Sequence, residues 1–495
     1  MTLARTGKDP LIVIVSNRGP FSFTKKENGE YDVERGAGGL VTALGALAEK
    51  HEVLWIASAM SADDRSWARQ RGKEIEQIEG IYLRLVRPNK IAYEKYYGII
   101  ANPMLWFIQH QLWDAPRTPS ITQETWDAWN KGYLPINKLF ADAVIQSLQG
   151  VTRPVIILPQ DYHLYMMPHY LRKGLGDNVQ IQPFVHIPWP GPDAWRILPK
   201  ELRDTLLMSM LQSNRIGFQT KQDAFNFVQT CRFHLPDAQS RGRRDAIYID
   251  DREISSLPYP ISVDVEKIES LAEDTQTRLL KSEFINLVGD KKMILRVDRI
   301  EPSKNIIRGL EAFKALLEKH PEYHEKVKLL CLLVPSRMEV TEYQDYLKEI
   351  MAEAGMINAE FSQPLWEPVR VILGDNYIRA IAAMQLYDVL FVNPIADGMN
   401  LVVKEGALLN QKDGVLVLSE YAGAYCELGD QALTVSPYDI YGTVEALHRA
   451  LTMPFEEKHK RSNALREIVR SANIKDWFKA QVKDALKDIE AQDPI

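Results

Sequence analysis

The chain reads as an α/β protein built from two doubly wound domains facing across a cleft, and three observations predict this. Short, continuous apolar runs recur along its whole length: LIVIVSN, EVLWIAS and PVIILPQ in the first half, then MILRVDR, VKLLCLLV, DVLFVNP and GVLVLSE in the second. Strands that are apolar without alternation are buried on both faces, as in a parallel sheet covered by helices, and amphipathic stretches separate these runs throughout. Finally, 495 residues at 45% hydrophobic composition exceed one ordinary core, and Pro258 and Pro260 in SSLPYPISVDVEKIES break the pattern into two strand–helix series. The expected domains are residues 1–259 and 260–475.

Composition removes several classes of function. The 60 basic and 66 acidic residues leave a formal charge of −6, so nothing draws the chain to nucleic acid or to an acidic membrane surface. Cys231, Cys331 and Cys426 are odd in number and far apart, which fits reduced core or strand residues rather than a disulfide framework or a CxxC metal site. The apolar run in MTLARTGKDPLIVIVSN is short for a signal sequence, and no stretch approaches the roughly 18 apolar residues of a membrane span. A cytoplasmic protein is expected.

Taken in order, the first strand LIVIVSN leads into FSFTKKENGEYDV, whose alternating halves flank Asn28-Gly29 and predict a hairpin with a type I′ turn. RGAGGLVTALGALAEK then places Gly38 and Gly39 at the start of an apolar-periodic helix, where free N–H groups and the macrodipole can hold an anion. A dinucleotide fingerprint would need a third glycine where Val41 stands, and no GxxxxGK[ST] pattern occurs. The glycines could equally serve only a tight turn.

In the second half, MILRVDRIEPSKN ends a buried strand at Arg299 and sets Lys304 five residues later, before a helix. Ligands of open α/β sheets bind beyond the carboxyl ends of strands, and this basic pair suits a diphosphate without a metal. Each cation could instead pair with Asp298 or Glu301. In DVLFVNPIADGMNLVVKEGAL a second strand runs into the turn ADGMN and then a helix starting near Asn400. Gly398 permits close approach, the backbone N–H groups from Met399 to Leu401 can bind oxygens, and Asp397 can accept from sugar hydroxyls. Helical side chains lean toward the N-terminus, so Glu405 can reach back to the same ligand and suits a ribose diol. The plain alternative is a capped helix, worth roughly 1 kcal/mol, with Lys404 and Glu405 exposed.

SNRGP at 16–20, GGL at 38–40, QDYHL at 160–164, FVHIPWP at 184–190, the Arg299–Lys304 pair and DGMNLVVKE at 397–405 together resemble trehalose-6-phosphate synthases, in the same order and over nearly the whole chain. The resemblance implies a GT-B fold of two Rossmann-like domains, with a C-terminal helix at 476–495 crossing back onto the first. It implies a retaining glycosyltransferase that needs no cofactor or metal and moves glucose from UDP- or GDP-glucose to glucose 6-phosphate. The donor would lie on Gly38, Gly39, Arg299, Lys304, the stretch Asp397, Gly398, Met399, Asn400, Leu401 and Val402, and Glu405. The acceptor would meet Arg18, Tyr97, Trp106, Asp161 and Arg337. His186 would sit at the reacting sugar, with Arg299, Lys304 and Asp397 completing the catalytic set.

Structural readings stand beside these: Tyr97 and Trp106 as core aromatics, His186 as a satisfied residue at a strand end, Arg18 as a cap. No carboxylate pair in the donor motifs is placed for double displacement, and the resemblance implies front-face substitution, the acceptor attacking on the side the phosphate departs. Three departures bear on the acceptor. Ser58 stands where the family carries an aromatic, QDYHL replaces HDYHL, and RIEPSKN replaces RLDYSKG. Glycerol 3-phosphate or a cyclitol phosphate are therefore alternative acceptors, and a catalytically silent sugar-phosphate sensor is the alternative outside catalysis. A homo-oligomer is left open.

Overall fold

The computed structural model describes residues 5–7, 9–36, 51–338 and 340–492, the side chains of Ala491 and Gln492 excepted. The chain divides into two compact units: residues 1–261 together with 474–495, and residues 262–473.

Unit 1 opens with β1 (Leu11–Ser16), buried at every position, followed by a hairpin of β2 (Phe21–Lys25) and β3 (Tyr31–Arg35). The hairpin forms around Asn28-Gly29, but its turn is not the expected two-residue type I′. Lys25 pairs with Tyr31, the Lys26 carbonyl accepts from Gly29, and Gly29 alone among the loop residues has positive φ, at 88°. A wider turn closed by a glycine bulge satisfies the same twist with one left-handed residue instead of two.

The main sheet continues with β4 (Val53–Ser58), β5 (Glu76–Ile78), β6 (Ile81–Val86), β7 (Val155–Pro159) and β8 (Gln180–Ile181). Its order is β5-β6-β4-β1-β7-β8, parallel except for β5. A second sheet holds β9 (Phe184–Val185), β10 (Arg215–Phe218), β11 (Ala246–Ile249) and β12 (Arg252–Pro258), in the order β11-β12-β10-β9. The bridge between Gln160 and Phe184 joins the two sheets. The final helix, Ile474–Gln492, belongs to this unit although it follows unit 2 in sequence. Trp477 donates to the Tyr259 carbonyl at 2.8 Å, and Arg215 pairs with Asp488 at 2.8 Å.

Unit 2 is a six-stranded parallel sheet of β13 (Lys292–Arg299), β14 (Val327–Val334), β15 (Val369–Leu373), β16 (Val389–Val392), β17 (Val415–Ser419) and β18 (Leu433–Val435). The order is β15-β14-β13-β16-β17-β18. Its core packs Ile294, Leu329, Phe391 and Val417 against Leu310, Phe313, Ile350 and Leu447 of the covering helices. In each unit the strand order reverses once, between β1 and β7 in unit 1 and between β13 and β16 in unit 2. At such a switch point the flanking connections leave toward opposite faces and open a crevice beyond the strand ends. Both units are Rossmann-like, the composition of the GT-B fold.

Among the described residues no helix is long and apolar enough to cross a membrane. Cys231 and Cys331 are buried, whereas Cys426 is exposed and helical, contrary to the expectation that all three are core or strand residues. It sits in the one-turn Tyr425–Leu428 helix, too short to present a fully covered face.

Candidate active site

Unit 2 gathers its predicted residues at the switch point. β13 ends at Arg299 and turns through Pro302–Lys304; β16 ends at Val392 and runs through Asp397 to the Leu401–Leu409 helix. Lys304 and Asp397, both mostly buried, form an ion pair. The same carboxylate oxygen, Oδ2, accepts from Asn400 Nδ2 at 3.0 Å. Asn400 takes the left-handed φ of 71° and caps the helix by accepting from Val403 N–H. Capping and site-building are one structure here: the residue that stops the strand-to-helix turn also fixes Asp397.

The turn is held from outside as well. Asp397 N–H donates to the Tyr421 carbonyl at 3.1 Å, Gly423 N–H to the Asp397 carbonyl at 3.0 Å, and Ala424 N–H to the Met399 carbonyl at 2.8 Å. A Cβ at Gly423 would lie 1.8 Å from the Gly398 carbonyl oxygen, so glycine is what lets the two backbones meet. Gly398 and Met399 are buried, while Leu401 and Val402 are half-buried on the first turn.

Beneath this lies a residue that the motif reading passed over. Arg296, only 1% exposed, donates to Asp298 at 2.7 Å, to Asn393 at 2.6 Å and to the Lys304 carbonyl. It fixes the ends of β13 and β16 to the loop carrying Lys304. A Cβ at Gly309 would lie 2.1 Å from Arg296 Nη1, so that glycine leaves room for the guanidinium. The signal was an arginine inside the apolar run MILRV. Burial raises the Asp298 carboxyl pKa, with Arg296 and Lys304 opposing it.

Arg299 is half exposed and pairs with the buried Glu301 at 3.3 Å. Glu301 also accepts from Arg337 at 2.7 Å and Ser336 at 3.1 Å, and Arg337 donates to Tyr343 at 3.0 Å. Arg337, expected on the acceptor, thus shares a carboxylate inside unit 2 with Arg299, expected on the donor. Glu405 is half-buried and accepts from the Tyr377 hydroxyl at 3.0 Å; burial pushes its pKa up to about 7. Lys404 is not exposed. It pairs with Glu427 at 2.7 Å, and burial lowers its pKa against that pairing.

Chemically, unit 2 offers a half-exposed guanidinium at Arg299, an ammonium at Lys304 with donors beyond the one given to Asp397, and a helix N-terminus, all at strand ends. This arrangement stabilises anionic oxygens. The other Asp397 oxygen has no hydrogen-bond partner among the described residues and can accept from a hydroxyl.

Unit 1 is organised differently. Arg18 and Asp161 follow β1 and β7 at its switch point, Asp161 with φ 72°. Arg18 is exposed with no ion pair among the described residues, while its loop is pinned by Asn17, which shares hydrogen bonds with the Tyr93 and Tyr96 hydroxyls. Tyr97 stacks between Tyr93, 5.7 Å away, and His163, 5.8 Å away. Trp106 is buried and stacks on His110 at 3.9 Å. His186 follows β9, and its N–H donates to Asp161 Oδ1 at 3.2 Å. Its ring lies 4.6 Å from Phe184 and 5.8 Å from Trp477, and loss of hydration drives its pKa down to about 3. Trp477 was not foreseen, because no motif links residue 477 to residue 186. Gly38 and Gly39 lie outside the described residues.

His320, Glu322 and His448 bring three ligand-type atoms within 4.8 Å of one another in unit 2. His320 and Glu322 lie just past the C-terminal end of the Ile306–Lys319 helix, whose other end follows Lys304, and His448 lies within the Ile440–Thr452 helix. The imidazoles stack 4.0 Å apart at 11°, which sets their nitrogens side by side rather than toward one centre.

The sequence pattern of glycosyltransferase family 20 matches residues 10–487. The chain is 31% identical to the alpha,alpha-trehalose-phosphate synthase (UDP-forming) of Candida albicans, over 96% of this chain and 97% of that one. It is 32% identical to the trehalose-6-phosphate synthase of Citrobacter koseri, over 97% and 95%. Longer relatives exist: it spans 58% of a probable alpha,alpha-trehalose-phosphate synthase of Arabidopsis thaliana, at 28% identity over 98% of this chain, and 63% of a Dictyostelium discoideum relative. Among solved structures, an E. coli one bound with UDP-2-fluoro glucose superposes with TM-score 0.82 at 30% identity, over 96% and 98% of the two chains. The alpha,alpha-trehalose-phosphate synthase (UDP-forming) of Burkholderia xenovorans in complex with glucose-6-phosphate gives 0.81 at 26%, over 96% and 100%. The Arg299–Lys304 basic pair and the hydrogen-bonded ADGMN turn at one switch point, in a chain matched over nearly its full length, carry one conclusion: the chain belongs to glycosyltransferase family 20.

Proposed function

We propose that this chain is a retaining glycosyltransferase that moves glucose from UDP-glucose to glucose 6-phosphate, giving α,α-trehalose 6-phosphate. The observation that carries the reading is the Lys304–Asp397–Asn400 cluster beside Arg299 at the unit 2 switch point. Cations and a helix N-terminus there can take up the charge of a departing nucleotide diphosphate, and Asp397 can hold the sugar being transferred. The acceptor hydroxyl attacks the anomeric carbon from the face the phosphate leaves. The bond to the phosphate oxygen breaks, the new glycosidic bond forms, and that phosphate oxygen takes the hydroxyl proton. Positioning and charge stabilisation supply the rate in such a step. Glu405 is assigned to the nucleotide ribose, and Arg18, Tyr97, Trp106, Asp161 and Arg337 to the acceptor. The names of the relatives, UDP-forming synthases, support uridine as the base. A cytoplasmic location is supported by the buried thiols of Cys231 and Cys331.

A second acceptor is favoured by one observation. Ser58, at the end of β4, is buried, and its hydroxyl has no partner among the described residues. Its size and polarity can alter which acceptor ring fits. The deciding experiment is a matrix of UDP-, GDP- and ADP-glucose against glucose 6-phosphate, glycerol 3-phosphate and a cyclitol phosphate, read by released nucleotide and product mass. Trehalose 6-phosphate from UDP-glucose is the expected product. Turnover with glycerol 3-phosphate but not glucose 6-phosphate would replace the acceptor, and no turnover with any pair would leave a sensor.

A further inference from the structure

Gln160, the residue at which QDYHL departs from HDYHL, is 3% exposed and lies at the end of β7. Its amide nitrogen donates to the Leu158 carbonyl at 2.9 Å, and its amide oxygen lies 2.9 Å from His186 Nε2. A carbonyl only accepts, so Leu158 determines which end of the amide faces it. The amide oxygen therefore faces His186, and it too only accepts, so Nε2 must carry the proton. The other ring nitrogen, Nδ1, has no partner among the described residues. Phe184 and Trp477 pack against the ring, and the Asp161 carboxylate, one residue after Gln160, accepts from the His186 backbone N–H. Loss of hydration lowers the ring's pKa, and it is neutral at physiological pH.

We propose that Gln160 is a positioning residue for the glycosyl transfer: it locks His186 in the Nε2–H tautomer, so that Nδ1 meets the substrate as a hydrogen-bond acceptor only. His186 then recognises a substrate hydroxyl and has no proton to give at that atom. The assignment deepens the functional reading and rests on it for the identity of the substrate, but the tautomer itself is independent of turnover.

The test is nitrogen NMR of the full chain carrying labelled histidine, with His186→Gln used to identify the resonances. Wild type at neutral pH is expected to show a protonated, pyrrole-type Nε2 and a pyridine-type Nδ1. Gln160→Leu mixes the two patterns and lowers kcat roughly tenfold with UDP-glucose and glucose 6-phosphate, with the acceptor KM near wild type. Gln160→Glu, which still accepts from Nε2, restores the tautomer and most of kcat and moves the His186 titration upward, because a carboxylate favours imidazolium. A pyridine-type Nε2 in wild type, or an unchanged His186 signature in Gln160→Leu, overturns the proposal. The expected tautomer in a wild-type chain that turns over no nucleotide sugar overturns the transferase reading and leaves the tautomer lock standing.

Discussion

The two units hold their candidate residues by different physics. In unit 2 the switch point is a charged lattice: Arg296 with Asp298 and Asn393, Lys304 with Asp397 and Asn400, Glu301 with Arg299 and Arg337, Lys404 with Glu427. In unit 1 it is a set of packed rings: Tyr97 stacked on both Tyr93 and His163, Trp106 stacked on His110, and Phe184 and Trp477 tilted against His186. A buried charge lattice tolerates no missing partner, since each loss leaves an uncompensated ion. Stacked rings give way by degrees. Unit 2 should therefore respond to substitution in an all-or-none manner, and unit 1 in a graded one.

The largest expected effect is on stability. Arg296→Met leaves Asp298 buried without its cation and should cost about 3–5 kcal/mol in chemical denaturation, with Asp298→Asn recovering much of it. A loss under about 1 kcal/mol would show that the lattice is not the support described. Next, Lys304→Ala or Arg299→Ala should lower turnover at least roughly a hundredfold, or about 2.7 kcal/mol, in steady-state kinetics. Wild-type turnover in either variant would remove it from the catalytic set. Gly423→Ala forces a methyl group onto the Gly398 carbonyl. It should cost about 1–3 kcal/mol and raise the donor KM.

These expectations also mark what could be read in advance. The strands, the division near residue 260, the basic pair and the ADGMN turn were legible because apolar runs, prolines and glycines act locally. Arg296 was visible as an arginine in an apolar strand, yet its three partners come from positions 298, 304 and 393, and no spacing rule joins them. Glu301 was weighed only as a competitor for the cations, whereas it organises two arginines at once.

Graded behaviour in unit 1 is tested by Tyr97→Phe against Tyr97→Ala. The ring-retaining variant should lose only the hydroxyl contribution to acceptor KM, about 1 kcal/mol, and the alanine variant more. Equal losses would mean the stack contributes nothing.

The smallest effect expected is a pH dependence in unit 2. The Glu405 pKa is pushed up to about 7 from an ordinary 4.5, so the folded chain holds a proton that the unfolded chain releases. That contribution to stability is full below pH 4.5 and is lost as pH rises through about 7. Glu405→Gln should therefore be relatively more stable at pH 8 than at pH 5 in thermal unfolding. Donor affinity in wild type should strengthen over the same rise as the carboxylate forms, and Tyr377→Phe should shift that midpoint upward. A flat profile would detach Glu405 from the donor.

The sequence by itself determined the strands, the two-unit plan and the family, because hydrophobic runs, chain breakers and short motifs carry their physics within a few residues. Only the tertiary structure decided which charges are paired, that Arg337 shares Glu301 with Arg299, that Trp477 packs against His186, and that Gln160 meets His186 Nε2. Burial, ion pairing and tautomer choice depend on groups tens to hundreds of residues apart, which meet only when the chain closes around them.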